Sequence, residues 1–188
     1  MSLLPFKQVA IFEPSLCLPS TNLIQFDQSL ADALDAWLKR ATSRGADACY
    51  VRVEQSELGK EILFWMANRI NVLAPALLFD PTLKVLAWHH KSNTKGLLPS
   101  GEYLQGISGH SIKDLQNSEG AGFDYSFLSP IFPSKTHPET NALGLKYLQE
   151  SCKAFRIPIV ALGGLNFRNG ADCLTAGADG WAGIRCYL

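Results

Sequence analysis

Apolar and polar positions along the chain switch repeatedly between the period of a strand and the period of a helix. Residues 8–12 form a short apolar run. After a Pro/Ser/Asn-rich connection, Phe26, Leu30, Ala33, Leu34, Trp37, Leu38 and Ala41 recur at helical spacing, and Gly45 closes that segment. A second apolar run, 48–53, leads into 56–71, where Leu58, Ile62, Phe64, Trp65, Met66 and Ile70 form a wide apolar helical surface. The pattern predicts a third strand over 75–80 (PALLFD), a helix over 82–90 and a short fourth strand over 96–98. From Gly106 onward the rhythm sharpens. Residues 106–110 read as a strand, Ser111 as an N-cap with Asp114 three residues on, and Gly120 and Gly122 as the stop. Residues 124–128 form a sixth strand, and Leu145, Leu148, Cys152 and Phe155 mark a helix. Residues 157–162 are a seventh strand, Asn166 caps a helix that ends near Gly177, and 180–184 are an eighth strand.

Strands alternating with helices at this spacing imply parallel βα units, and eight of them imply a closed (β/α)8 TIM barrel rather than an open sheet. At 188 residues the chain reads as a single barrel domain over 1–188. Only residues 185–188 follow the last strand, so the final helix is expected to be truncated or absent. That should leave an apolar flank suited to self-association or to a partner.

Lys plus Arg and Asp plus Glu number 17 each, so no global field draws the protein to nucleic acid or to anionic lipid. No window holds the roughly 18 uninterrupted apolar residues of a membrane span, and no secretory leader is evident. The expectation is a cytoplasmic protein. Its five cysteines, dispersed and without metal-ligand spacing, fit buried free thiols.

In a parallel barrel, chemistry is expected at the carboxyl ends of the strands. Strand alternation puts Ser108 and His110 on the inner face of the fifth strand, with Arg52 between Tyr50 and Glu54 on the second, and Ala76, Leu78 and Asp80 together on the third. His110 suits proton transfer near neutrality; equally, it simply ends a strand before a helix. Ser134 and Thr136, in the Pro-flanked loop PSKTHP, offer hydroxyls to an anion or merely solvate a loop. Gly163 and Gly164 precede the Asn166 cap, and Gly183 with Ile184 ends the next strand. Bare amides there suit a phosphate, although tight turns alone also call for glycine. Arg52 needs an anionic partner, either Glu54, Asp80 or a ligand. Phe127 faces inward and narrows the bore. His89 and His90 fall in the presumed outer helix on a solvated face, and Trp37, Trp65, Trp88 and Trp181 fit packing roles.

Taken in order, GISGHSIKDLQ, DYSFLSPIFPSKT, IPIVALGGLN and AGADGWAGI resemble the second half of the thiamin phosphate synthase and TenI family, with a fainter likeness over CYVRVEQ and PALLFD. The resemblance implies a barrel that binds a phosphorylated thiazole. The synthases couple that molecule to an aminopyrimidine pyrophosphate with Mg2+ and release pyrophosphate. Their strand-two lysine has no counterpart after Arg52. Their Asn-Asp pair appears as Phe79 and Asp80, their Thr-x-Thr-Lys as Ser134, Lys135, Thr136 and His137, and Glu102 lies near the place of a second magnesium carboxylate. The segment LLPSG (97–101) resembles the TenI branch, whose members are thiazole tautomerases with a histidine at the place of His110. The resemblance therefore implies, first, a metal-free tautomerase in which His110 shuttles the proton, Ser108 orients the ring, Arg52 meets the carboxylate, and Gly163, Gly164, Gly183 and Ile184 hold the phosphate. The alternatives are a synthase using Asp80, Ser134, Thr136 and Mg2+, and a non-catalytic phosphate-binding paralogue.

Overall fold

The computed structural model describes residues 4–18, 24–134 and 139–188. Eight parallel strands close into a barrel in chain order, and the last pairs with the first through Gln8 opposite Trp181. The strands are β1 (Gln8–Phe12), β2 (Ala48–Val51), β3 (Val72–Pro75), β4 (Ala87–His90), β5 (Leu104–Gly109), β6 (Tyr125–Leu128), β7 (Ile159–Leu162) and β8 (Gly180–Gly183). The helices are α1 (Pro14–Cys17), α2 (Gln28–Ser43), α3 (Glu57–Ala67), α4 (Ile112–Ala121), α5 (Gly144–Ala154) and α6 (Phe167–Thr175). Short 3-10 turns follow β3 (Ala76–Leu78) and β8 (Arg185–Tyr187).

Helix starts follow local chemistry. Asp27, Ser56, Ser111 and Asn166 each accept a backbone N–H of the first turn, and Asn166 forms a full capping box with Asn169. Along the strands, alternate residues divide between two cores. Val9, Ile11, Ala48, Leu73, Ala87, Tyr125, Phe127, Val160 and Ala182 fill the bore, while Phe12, Trp37, Trp88 and Trp181 join the layer between strands and helices. The bore is crowded by aromatic rings, and small residues beside them make the room. A Cβ on Gly106 would lie 2.0 Å from the Tyr125 ring, so glycine is required there by space.

The stretch from 75 to 90 departs from the sequence expectation. Pro75 ends β3, a 3-10 turn follows, and residues 87–90 form β4 where a helix was predicted; 96–98 is not a strand. Ala87, Trp88, His89 and His90 are all buried, so the strand lies against apolar surroundings on both faces and shows no alternation. Short buried strands of this kind carry no periodic signature. The solvated positions assigned to His89 and His90 are therefore corrected: both are 3% exposed.

After β8 the chain runs into the 3-10 turn Arg185–Tyr187, which partly fills the flank beside it. Tyr187 is buried, stacks on Trp181 and meets Phe167 edge-on. Arg44 holds the chain end by donating to the carbonyls of Cys186 and Leu188 at 2.7 and 3.0 Å. All five cysteines are free.

At the amino-terminal end of the barrel one device occurs three times. Gly45, Gly122 and Gly177, all with positive φ, close α2, α4 and α6, and two residues later Asp47, Asp124 and Asp179 precede β2, β6 and β8. Each carboxylate accepts N–H groups at the start of the neighbouring strand: Lys7 and Gln8 to Asp47 (2.9 and 3.0 Å), Gln105 to Asp124 (2.7 Å) and Ile159 to Asp179 (3.0 Å). Each aspartate's own N–H donates back to Gln8, Gln105 or Ile159. Glu119 does comparable work for Arg156 and Ile157. This end is saturated with internal hydrogen bonds.

Candidate functional site

The carboxyl-terminal mouth is built from the residues that end each strand. Arg52 continues β2, its backbone N–H donating to Phe12, and its guanidinium meets Glu13, just beyond β1, at 3.2 Å. Its partner is thus neither Glu54 nor Asp80. Because Phe12 pairs with Val51, the next residue on each strand, Glu13 and Arg52, falls side by side. Arg52 keeps about half of its side chain exposed (48%), so it can still meet an anion from solvent.

Ser108 lies on the inner face of β5, as alternation requires. Its Oγ is 2.9 Å from Nε2 of His89, whose Nδ1 is 3.2 Å from the Tyr125 hydroxyl. Phe127 and Tyr50 pack on the same imidazole, with ring centroids 4.4 and 5.0 Å away. Burial pulls His89 down to about 3, so the ring is neutral near pH 7, and it pushes the Tyr50 and Tyr125 phenols up. These rings form the floor of the mouth. The sequence pattern misses His89 because residues 82–90 read as a helix, whereas 87–90 form β4.

His110 stands one residue beyond β5 and is exposed. Its backbone N–H donates to Asp114 (2.8 Å), and its Nδ1 lies 2.9 Å from the carbonyl of Ser129, just beyond β6, closer than the 3.3 Å to that residue's hydroxyl. A carbonyl only accepts, so Nδ1 carries the hydrogen and Nε2 of the neutral ring presents a lone pair. That is the tautomer a proton-transferring group needs.

Beyond β7, Gly163 and Gly164 adopt φ of +94° and +68°. A Cβ on Gly164 would lie 2.4 Å from the Pro133 carbonyl oxygen, and one on Gly163 would lie 2.6 Å from Pro130. Close approach of the loops after β6 and β7 therefore demands glycine here, whatever else binds. The capping box occupies the N–H groups of Arg168 and Asn169. Among the described residues no protein acceptor meets the N–H of Gly164 or of Ile184. Gly183 itself lies in β8 opposite Ala10, with no room for a side chain beside Cys186. Ile184, one residue on, is the amide that clears the sheet.

The magnesium candidates do not come together. Asp80 follows the turn after β3 rather than lining a strand face. One of its oxygens accepts the N–H and hydroxyl of Thr82 at 2.8 and 2.7 Å, and these bonds lower its carboxyl pKa. Glu102 lies two residues before β5, which puts it at the opposite end of the strands from Asp80. Among the described residues no three His, Cys, Asp or Glu side chains converge. Asp80 alone, with one oxygen uncommitted, fits the single carboxylate by which a magnesium pyrophosphate is often held. Ser134 is half-buried at the edge of the described loop, and Lys135, Thr136 and His137 lie outside the described residues.

A closed parallel barrel whose uncommitted donors and bases gather at the carboxyl end is a (β/α)8 scaffold of the enzyme type. Solved structures of this class superpose along nearly the whole chain. A thiamine phosphate pyrophosphorylase from Pyrococcus furiosus gives a TM-score of 0.69 at 19% identity, covering 95% of this chain and 85% of that one. The N-acetylmannosamine-6-phosphate 2-epimerase from Clostridium perfringens gives 0.66 at 14% identity, covering 97% and 87%. At such identities the likeness is one of fold. Sequence similarity reaches further. The family profile described as thiamine monophosphate synthase matches residues 98–186. The chain is 40% identical over 182 residues to the putative thiamine-phosphate synthase 2 of Aquifex aeolicus (strain VF5), covering 89% of this chain and 95% of the relative. Identity is 28% over 172 residues to the thiamine-phosphate synthase of Pyrococcus horikoshii, covering 81% and 80%. The chain belongs to the thiamine monophosphate synthase family. No helix among the described residues is long and apolar enough to cross a membrane.

Proposed function

We propose that the chain binds a phosphorylated thiazole at the carboxyl-terminal mouth and couples it to an aminopyrimidine pyrophosphate, forming thiamin phosphate. The observation that carries this reading is the kinship, over most of the chain, with proteins named thiamine-phosphate synthase, joined to a mouth with uncommitted backbone donors. The N–H groups of Gly164 and Ile184 take the thiazole phosphate, where backbone donors need no charged partner of their own. Ser108 hydrogen-bonds the ring above the aromatic floor. Arg52 and the hydroxyls of Ser134 and Thr136 receive the pyrophosphate, and Asp80 would hold magnesium, which when bound supplies charge neutralisation for the departing pyrophosphate.

A second reading rests on His110. With Nδ1–H fixed on Ser129 and Nε2 bearing the lone pair, this imidazole is set to remove a proton from a thiazole carbon and return it elsewhere on the ring. Such a tautomerisation requires no leaving group and no metal, and Arg52 would then meet the substrate carboxylate.

Purified protein assayed with both substrate sets, with magnesium and with a chelator, separates the two. Coupling that vanishes with chelator supports the synthase. Chelator-resistant tautomerisation without coupling would overturn it in favour of the second reading, and binding of the thiazole phosphate without either reaction would leave a non-catalytic binding protein.

A further inference from the structure

We infer that Tyr125 and His89 are positioning residues that set the polarity of Ser108, so that its hydroxyl hydrogen is not spent on His89 but points into the mouth to donate to a bound molecule. The substrate atom that takes this hydrogen is then an acceptor, an unprotonated ring nitrogen or a carboxylate oxygen.

The inference comes from counting donors and acceptors. Tyr125 is fully buried, and His89 Nδ1 is the one partner of its hydroxyl among the described residues. A phenol has a single hydrogen, and a buried one left unpaired is disfavoured, so Tyr125 donates to Nδ1. Nδ1 is thereby an acceptor. His89 is walled in by Phe127 and Tyr50 at 4.4 and 5.0 Å and is 3% exposed, and its burial keeps the ring neutral. A neutral imidazole carries one hydrogen, which must then sit on Nε2 and be donated to Ser108 Oγ, 2.9 Å away. Ser108 Oγ has a lone pair occupied from below. Its own hydrogen has no acceptor among the described residues, and the residue is partly open to the mouth. The reverse arrangement, Ser108 donating to Nε2 and Nδ1–H donating to Tyr125, strands the phenol hydrogen in the bore. Gly106 supports the same device, since only glycine admits the Tyr125 ring there.

The claim about what Ser108 meets rests on the binding reading above, whereas the polarity itself does not. Long-range 1H–15N correlation spectra of the full chain labelled at histidine read the tautomer without any ligand. The expected spectrum shows His89 with a protonated Nε2 and an unprotonated Nδ1; a protonated Nδ1 would overturn the inference. Calorimetry with the phosphorylated thiazole carboxylate then compares wild type, Ser108→Ala, Tyr125→Phe and the double variant. Each single change should weaken binding about threefold to tenfold, and the double no more than Ser108→Ala alone, because both act through one hydroxyl. Additive losses would overturn the inference. A wild type that keeps the Nε2–H signature yet binds no phosphorylated thiazole supports the polarity and overturns the binding reading instead.

Discussion

The two ends of the barrel use the same kinds of groups in opposite ways. At the amino-terminal end, Asp47, Asp124 and Asp179 spend their oxygens on the first N–H groups of neighbouring strands. At the carboxyl-terminal end, among the described residues, the N–H groups of Gly164 and Ile184 meet no protein acceptor, and His110 keeps one nitrogen uncommitted. Charge at one end is spent on the fold, while polarity at the other stays uncommitted among the described residues. Substitutions at the two ends should therefore fail in different assays.

The largest effects belong at the mouth. Asp80→Asn should lower magnesium-dependent coupling by about a hundredfold, while His110→Asn leaves that coupling within about tenfold. The reverse pattern, with His110→Asn abolishing turnover and Asp80→Asn silent, would favour proton transfer as the chemistry. Gly164→Ala comes next. It forces an L-residue to φ +68° and drives a Cβ towards the Pro133 carbonyl, so it should cost about 2–4 kcal/mol of stability and weaken phosphate binding about tenfold. Retention of both by calorimetry and urea unfolding would mean that this loop is not the constrained element described.

Asp179→Ala supplies the contrast, with an expected loss of about 1–3 kcal/mol in urea unfolding and unchanged ligand affinity. A binding defect of comparable size would erase the distinction between the ends. The smallest effect is on pH. Folded His89 resists protonation down to about 3, whereas an unfolded histidine takes a proton near 6.5. The unfolded chain therefore binds more protons between those values, so stability falls as pH drops through the window and is unaffected above it. The slope is at most about 1.4 kcal/mol per pH unit for one histidine, and His90, depressed chiefly by burial, adds in the same sense. Unfolding free energies measured from pH 7 to pH 4 that stay level would contradict a neutral, buried His89.

Much of this contrast is legible in the sequence, unevenly along the chain. The second half reads well because β5 to β8 alternate with capped, amphipathic helices, and parity alone places Ser108 and Phe127 inside. Between Pro75 and His90 it fails, because a strand buried on both faces has no alternation, and a histidine satisfied by Ser108 and Tyr125 looks like a surface residue until its partners are known. The partner of Arg52 was within reach, since parallel neighbours in register put Glu13 beside it. The aspartates of the lower end were not. Gly45, Gly122 and Gly177 announce helix stops, but an aspartate before a strand resembles any solvated loop residue until the amide it accepts from is located.

The most direct test is a crystal structure with the phosphorylated thiazole bound. The phosphate should accept from the N–H groups of Gly164 and Ile184, with the ring over Phe127 and Tyr50 and within reach of Ser108. A phosphate lodged elsewhere, with those two N–H groups facing water, would contradict the assignment of the carboxyl-terminal mouth as the binding site.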